Sequence, residues 1–254
     1  MGQKVSPIAN RLGYIEDWES KWFNFKEMPG LIEEDFFIRK YIRDKEGRGA
    51  GISKIMIERT GKILKISIYT ARPGIIIGRR GQEIENLRSE IENIVEKKTF
   101  INVLEIKEPA LDAQLVADSI AIQLEKNLNY RRVIKRAIER TMSCGAGGIK
   151  VMISGRIGGI EIARSEWFKE GRIPTNTFRA NIHFAKSEAL IKKGKIGIKV
   201  WIFKGELFRK TDKDLLKEKE AQLIETEKIK QFEELPSLDH DFIEEVKEET
   251  EEKV

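Results

Sequence analysis

The 254-residue sequence is poor in the residues that metal and redox chemistry require, with one cysteine and two histidines. One cysteine cannot close an intramolecular disulfide, and these three side chains cannot assemble a His/Cys zinc site. No apolar run approaches the roughly 18 residues that cross a bilayer. The opening Met1-Gly2-Gln3-Lys4-Val5-Ser6-Pro7 has no apolar stretch of the kind found in secretory leaders. It fits the loose myristoylation pattern, but no second lipid signal accompanies it, so the match is read as coincidence. A soluble, cytoplasmic protein with no membrane partner is expected. Catalytic signatures are also missing: there is neither a Gly-x-x-x-x-Gly-Lys-Ser/Thr loop nor a Gly-x-Gly-x-x-Gly fingerprint. Cys144 has no neighbouring histidine to activate it and reads as a small packing residue. His183 sits in an alternating strand pattern that favours a structural role over that of a general base. The expectation is a non-enzyme without cofactor, metal or small-molecule substrate. A nuclease is the rival reading, and it requires carboxylates distant in sequence to converge on a metal.

Charge is what the sequence has in excess. Charged residues are 35% of the chain, above the usual quarter or so, while 40% apolar residues suffice for a core. The net charge of +5 conceals a segregation. Residues 214–254 hold 15 acids and 6 bases, a net of −9, leaving 41 bases and 27 acids, a net of +14, in residues 1–213. A body of that sign suits phosphate backbones or acidic membranes. The closely spaced Glu244, Glu245, Glu248, Glu249, Glu251 and Glu252 repel one another and favour solvation. Residues 209–254 are therefore expected to be a disordered acidic tail, with partner binding as the alternative.

Breakers and periodicity divide the body. Residues 1–30 read as a docking arm, with Pro7, Gly13, Pro29 and Gly30 as breakers and Trp18, Trp22, Phe23 and Phe25 as apolar anchors. Regular structure is expected only after it. Helical spacing of Ile32, Phe36, Phe37, Lys40 and Tyr41 predicts a helix over 31–43. Strands follow at 54–59 and 63–69, joined through Thr60-Gly61-Lys62. After Arg72-Pro73-Gly74, a short helix leads to Gly78-Arg79-Arg80-Gly81 and an amphipathic helix carrying Ile84, Leu87, Ile91, Ile94 and Val95. A strand at 101–106 closes this unit. Helices are predicted at 112–127, capped by Asp112, and at 130–143. Strands are predicted at 149–154, 179–185 and 196–203, with a Gly/Arg-rich connection over 155–177.

Three segments are candidates for ligand binding. Gly78 and Gly81 let the backbone turn sharply around Arg79 and Arg80, and the following helix directs unpaired N–H groups toward an anion. A bare Gly-x-x-Gly is equally an ordinary turn. The helix–strand–strand–helix–helix–strand context matches the second topology of the KH module, whose loop clamps nucleic-acid backbone; Arg72 adjoins this loop. In the helix at 130–143, about 100° per residue places Arg131, Arg132, Lys135, Arg136 and Arg140 on one half of the circumference and Val133, Ile134, Ala137 and Ile138 on the other. Like charges four apart repel, and an external polyanion relieves that repulsion. The third candidate, 154–174, has glycines for close approach and arginines for phosphate. Arg156, Arg164 and Arg172, with Arg179 just beyond the segment, are its candidate phosphate contacts. Internal pairing of Glu161, Glu166 and Glu170 with Arg164, Lys169 and Arg172 is the competing reading.

Several segments together resemble one family, the universal third protein of the small ribosomal subunit in its bacterial form. They are Met1-Gly2-Gln3-Lys4-Val5, Arg11-Leu12-Gly13, the run from Thr70 through Gly81, Leu115-Val116-Ala117-Asp118-Ser119-Ile120, Arg131-Arg132-x-x-Lys135-Arg136-Ala137, residues 154–174, and Gly197-Ile198-Lys199-Val200-Trp201-Ile202-Phe203-Lys204-Gly205-Glu206. The resemblance covers residues 1 to about 208 and implies an α/β (α+β) fold. A type-2 KH domain over 31–108 would precede a second α/β domain over 109–208, with two helices packed on a small sheet. It implies binding to ribosomal RNA in the subunit head, packing against the subunit's tenth and fourteenth proteins, and a place along the channel where mRNA enters. Arg131, Arg132 and Lys135 would face incoming mRNA and help unwind it. The −9 tail departs from the basic or neutral extension of many bacterial relatives, so no RNA contact is carried beyond about 210. A free KH-type regulatory factor is the remaining alternative.

Overall fold

Regular structure begins inside the arm, earlier than its breakers imply. The computed structural model describes residues 4–61 and 63–208; the expected tail lies outside the described residues. Helix α1 (Pro7–Arg11) and strand β1 (Ser20–Lys21) precede the long helix α2 (Met28–Glu46). Pro7 and Pro29 both lie in a first helical turn, where the missing N–H would have had no partner. Strand β1 pairs parallel to β2 (Ile52–Thr60), with Ser20 opposite Ile57. The arm therefore docks on its own chain. Of its four expected aromatic anchors only Trp22 is engaged, half-buried and bonded to Asp35, while Trp18, Phe23 and Phe25 are exposed. A polar network holds the arm instead. The buried Asp35 carboxylate accepts from Ser20 Oγ at 2.7 Å, Trp22 Nε1 at 2.8 Å and Arg59 Nη2 at 2.6 Å.

The register of α2 also differs from expectation. Ile32, Phe36 and Phe37 face outward, whereas Leu31, Asp35, Ile38 and Ile42 are buried. Both faces of this helix carry apolar residues, so periodicity alone could not choose between them.

Strand β3 (Ile63–Thr70) pairs antiparallel with β2, setting Ile57 against Ile66 and Ile55 against Ile68; Thr60 faces Ile63 across the tight turn. Next come α3 (Pro73–Ile77), a 3-10 turn at Arg79–Gly81, α4 (Gln82–Val95) and β4 (Lys98–Glu105), which runs parallel to β3. The first sheet has the order β1-β2-β3-β4. Its strand isoleucines pack against Ile38 and Ile42 of α2, Ile76 of α3, and Leu87, Ile91 and Val95 of α4. Each such side chain contributes about 1.5–3 kcal/mol by leaving water. Ile94, expected on this face, is exposed.

Helices α5 (Ala113–Glu125) and α6 (Tyr130–Ser143) precede β5 (Gly148–Gly155), β6 (Arg164–Gly171), β7 (Ala180–Ile191) and β8 (Gly194–Glu206). These strands form an antiparallel sheet of order β6-β5-β8-β7. Strand β6 corrects the expectation of a connection over 155–177. Being an edge strand with a largely exposed, charged sequence, it lacks the apolar alternation that marks its neighbours. Both helices cover one sheet face, burying Ala117, Ile120, Ile134 and Ile138 against Ile149, Val151, Val200 and Ile202. The α/β architecture, with the helix–strand–strand–helix–helix–strand order and then two helices on a small sheet, agrees with the sequence reading.

Asp112 joins the two sheets. Its Oδ1 accepts from the N–H groups of Gln114 and Leu115, capping α5, while Oδ2 accepts from Ser53 Oγ of β2 at 2.5 Å. Arg48 adds a 2.7 Å ion pair to Glu125 of α5.

Candidate nucleic-acid interface

The Gly-x-x-Gly loop connects α3 to α4, and its conformation explains its composition. Gly78 has φ +69°, and a Cβ there would lie 2.5 Å from Glu83 Cγ. Only glycine fits that position. Gly81 has φ +77° with open space around it, and Arg80 between them is also left-handed at φ 55°. The loop thus presents Arg79 and Arg80 outward at the start of α4, both exposed, with exposed Arg72 beside the N-terminus of α3. No ion pair among the described residues engages these three arginines. Glu83 and Glu85 occupy the first turn of α4 and complement its dipole.

Helix α6 begins at Tyr130, capped by Asn129, whose side chain accepts from the Arg131 N–H, and it ends at Ser143 before Gly145 at φ +87°. Val133, Ile134, Ile138 and Thr141 are buried against the second sheet. That anchoring turns Arg131, Arg132, Lys135, Arg136 and Arg140 to solvent, and all five are exposed. Arg131 lies against the Tyr130 ring at 5.6 Å and donates from Nε to its hydroxyl at 3.0 Å. None of the five forms an ion pair with a carboxylate among the described residues, although Glu139 shares the helix. With five bases against the one acid Glu139, the face is a strip of net positive charge.

The arginines of the third segment behave differently. Arg164 pairs with Glu166 at 2.8 Å, one of the internal pairs weighed above. Arg172 and Arg179 both meet Glu206, at 3.2 and 2.6 Å, and together hold that carboxyl below its usual range, Arg179 first. Glu170 does not supply the partner of Arg172. Arg156 donates to the carbonyls of Ile160 and Lys193. Exposed ion pairs of this kind contribute about 0–1 kcal/mol, small enough to exchange for phosphate.

Arg11 escaped the site reading. Fully buried, it donates to the carbonyls of Ala180 at 2.6 Å, Pro7 at 3.0 Å, Thr175 at 3.0 Å and Thr177 at 2.8 Å, fastening α1 to the loop before β7. Its sequence signal was its place between an N-terminal proline turn and Gly13. His183 lines a cleft of about 600 Å³ with Trp18, Arg39, Lys54 and Asp112. Burial, then Lys204, pushes its imidazole below the ordinary pKa. No group of three or more His, Cys, Asp or Glu able to hold a metal occurs among the described residues, and no described helix is long and apolar enough to cross a membrane.

An αββααβ unit interrupted by this Gly-x-x-Gly loop defines a KH-domain protein, a class that clamps nucleic-acid backbone. The KH domain family matches residues 37–111, and the family described as ribosomal protein S3, C-terminal domain, matches 120–202. Small ribosomal subunit protein uS3 of Endomicrobium trichonymphae is 61% identical over 215 residues, covering 85% of this chain and 93% of the relative. Its namesakes in Carboxydothermus hydrogenoformans (52% over 215 residues; 84% and 96% covered) and Elusimicrobium minutum (50% over 228 residues; 89% and 95% covered) are similar. The chain belongs to the small ribosomal subunit protein uS3 family, whose members are structural, non-enzymatic constituents of the ribosome. The resemblance drawn from the sequence segments is thereby borne out.

Proposed function

We propose that the protein binds ribosomal RNA in the head of the small subunit, lies along the channel where mRNA enters, and holds and helps unwind mRNA there. Its cytoplasmic partners in this reading are small-subunit ribosomal RNA, mRNA, and the tenth and fourteenth proteins of the subunit. The supporting observation is the cationic face of α6: five exposed side chains without carboxylate partners, on a helix whose other face is fixed in the core. Such a face attracts phosphate without reading bases, which suits a surface that must pass every message. The Gly78–Gly81 loop with Arg72, and the exchangeable pairs of Arg156, Arg164, Arg172 and Arg179, supply further backbone contacts. The domains are taken as an arm over 1–30, a KH domain over 31–108 and a second domain over 109–208.

Replacing Arg131, Arg132 and Lys135 together by alanine should weaken binding to structured mRNA. The slope of log affinity against log salt should flatten by about one unit for each phosphate that the variant no longer neutralises. An unaltered slope in the triple variant would refute the mRNA-facing role. Stoichiometric co-sedimentation with the small subunit separates this reading from that of a free regulatory factor, which would remain at the top of the gradient.

A further inference from the structure

The second sheet has one face covered by α5 and α6; on the other, Ile182 and Phe203 are buried at the end where α1 docks, and the remainder of that face is exposed or half-buried and unusual in composition. Cross-strand register sets Lys169, Lys150, Trp201 and Phe184 side by side over β6, β5, β8 and β7. The adjacent row carries Trp167, Lys199 and Lys186. Lys150 Nζ lies between two indoles, 5.2 Å from the Trp167 ring centroid and 5.3 Å from that of Trp201. Trp201 stacks against Phe184 with centroids 5.1 Å apart and planes at 35°, and Lys186 Nζ lies 5.7 Å from the Phe184 ring. Trp167 is 61% exposed, a large apolar area to leave in water.

The charges here are uncompensated. No ion pair among the described residues includes Lys150, Lys169, Lys186 or Lys199, although Lys195 at the far end of the same sheet pairs with Glu188. Lys150 has a lowered pKa because burial disfavours its charge, and Lys4 and Lys169 beside it add repulsion. An occupant must bring negative charge and flat apolar surface in alternation. Single-stranded RNA has both, with phosphates for the lysines and unstacked bases for the rings. A duplex keeps its bases stacked inside and cannot offer them. Two strand spacings of about 4.8 Å and a two-residue offset along the strand set Trp167 and Trp201 about 12 Å apart, on either side of the Lys150 strand. That layout alternates ring, cation and ring across the sheet.

We propose that this open face binds single-stranded RNA, stacking bases on Trp167 and on the Trp201–Phe184 pair while Lys150, Lys169, Lys186 and Lys199 hold the phosphates. It is a surface additional to the Gly-x-x-Gly loop and to the cationic face of α6, and it rests on the reading of the chain as an RNA-binding protein.

The test uses the full-length protein and two labelled probes, a ten-nucleotide oligouridine and a ten-base-pair blunt RNA duplex. Trp167→Ala should weaken oligouridine binding roughly five-fold or more, the effect of removing one stacked base. Trp167→Phe should restore most of it, because a π-face returns. Lys169→Glu with Lys199→Glu should weaken the same probe and flatten its salt dependence. Duplex affinity should be unchanged by Trp167→Ala. Oligouridine should quench the intrinsic fluorescence of the wild type and quench that of Trp167→Phe less. Trp167 is exposed on an edge strand, so these variants should fold, with circular dichroism as the check. If Trp167→Ala binds oligouridine as the wild type does, the stacking face is refuted in favour of a protein occupant, and the RNA-binding reading stands. If the wild type binds neither probe, both fail.

Discussion

Arg11 is buried and forms no ion pair among the described residues, and its fork of N–H groups is satisfied by backbone carbonyls of α1, the loop before β7 and the start of β7. A guanidinium suits this task because it presents five donors in a fixed plane, which lysine cannot match. Removing it leaves several buried carbonyls unpaired. Arg11→Ala should destabilise the protein by about 3 kcal/mol, read as a lower urea midpoint, and should free the arm to early proteolysis. A midpoint within error of the wild type would mean that the arm contributes nothing to the stability of the second sheet. Gly78 is the opposite case, since its need for a positive φ was legible in the Gly-x-x-Gly spacing. What was not legible is the contact behind it. The Glu83 side chain fills the space that a Cβ at Gly78 would take.

At the scale of elements, legibility followed pattern strength. Helix α6 has the bounds that its wheel predicts, because one face is mostly apolar and the other carries five bases against the single acid Glu139. Strand β6 was missed because an edge strand buries little, and its Trp and Lys residues face the open side. For α2 the helix was found but the wrong stripe was favoured, since Ile32, Phe36 and Phe37 compete with the buried Leu31, Ile38 and Ile42. Asp112 was recognised as a cap, but its second bond, to Ser53 of β2, depends on how the sheets meet. One carboxylate thus ends the connection and ties it to the preceding sheet. Asp112→Ala should cost about 1–2 kcal/mol in thermal or chemical denaturation, with Asp112→Asn retaining part of the cap. A loss no larger than a few tenths would show that α5 is held by packing alone.

For the molecule as a whole, charge segregation is the dominant feature. Deleting residues 214–254 changes the net charge from +5 to +14. Non-specific RNA binding should therefore rise at low salt, with the difference fading as salt screens it. Assembly into the small subunit should persist, because the side chains proposed to face RNA all precede residue 209. Filter binding across a salt series and gradient co-sedimentation measure the two outcomes. Abolished assembly would show that the tail has a specific role.

The sequence by itself determined the order of the elements, the Gly-x-x-Gly turn and the cationic face of α6. These depend on local steric limits and on periodicity within one segment. Tertiary structure decided the rest. It placed Arg11 in contact with carbonyls more than 160 residues away and buried Asp35 with Arg59. It also aligned Trp167, Lys150 and Trp201 across three strands. Each of these relations is a cross-chain register or docking contact, set by which surfaces meet and invisible to any pattern read along a single element.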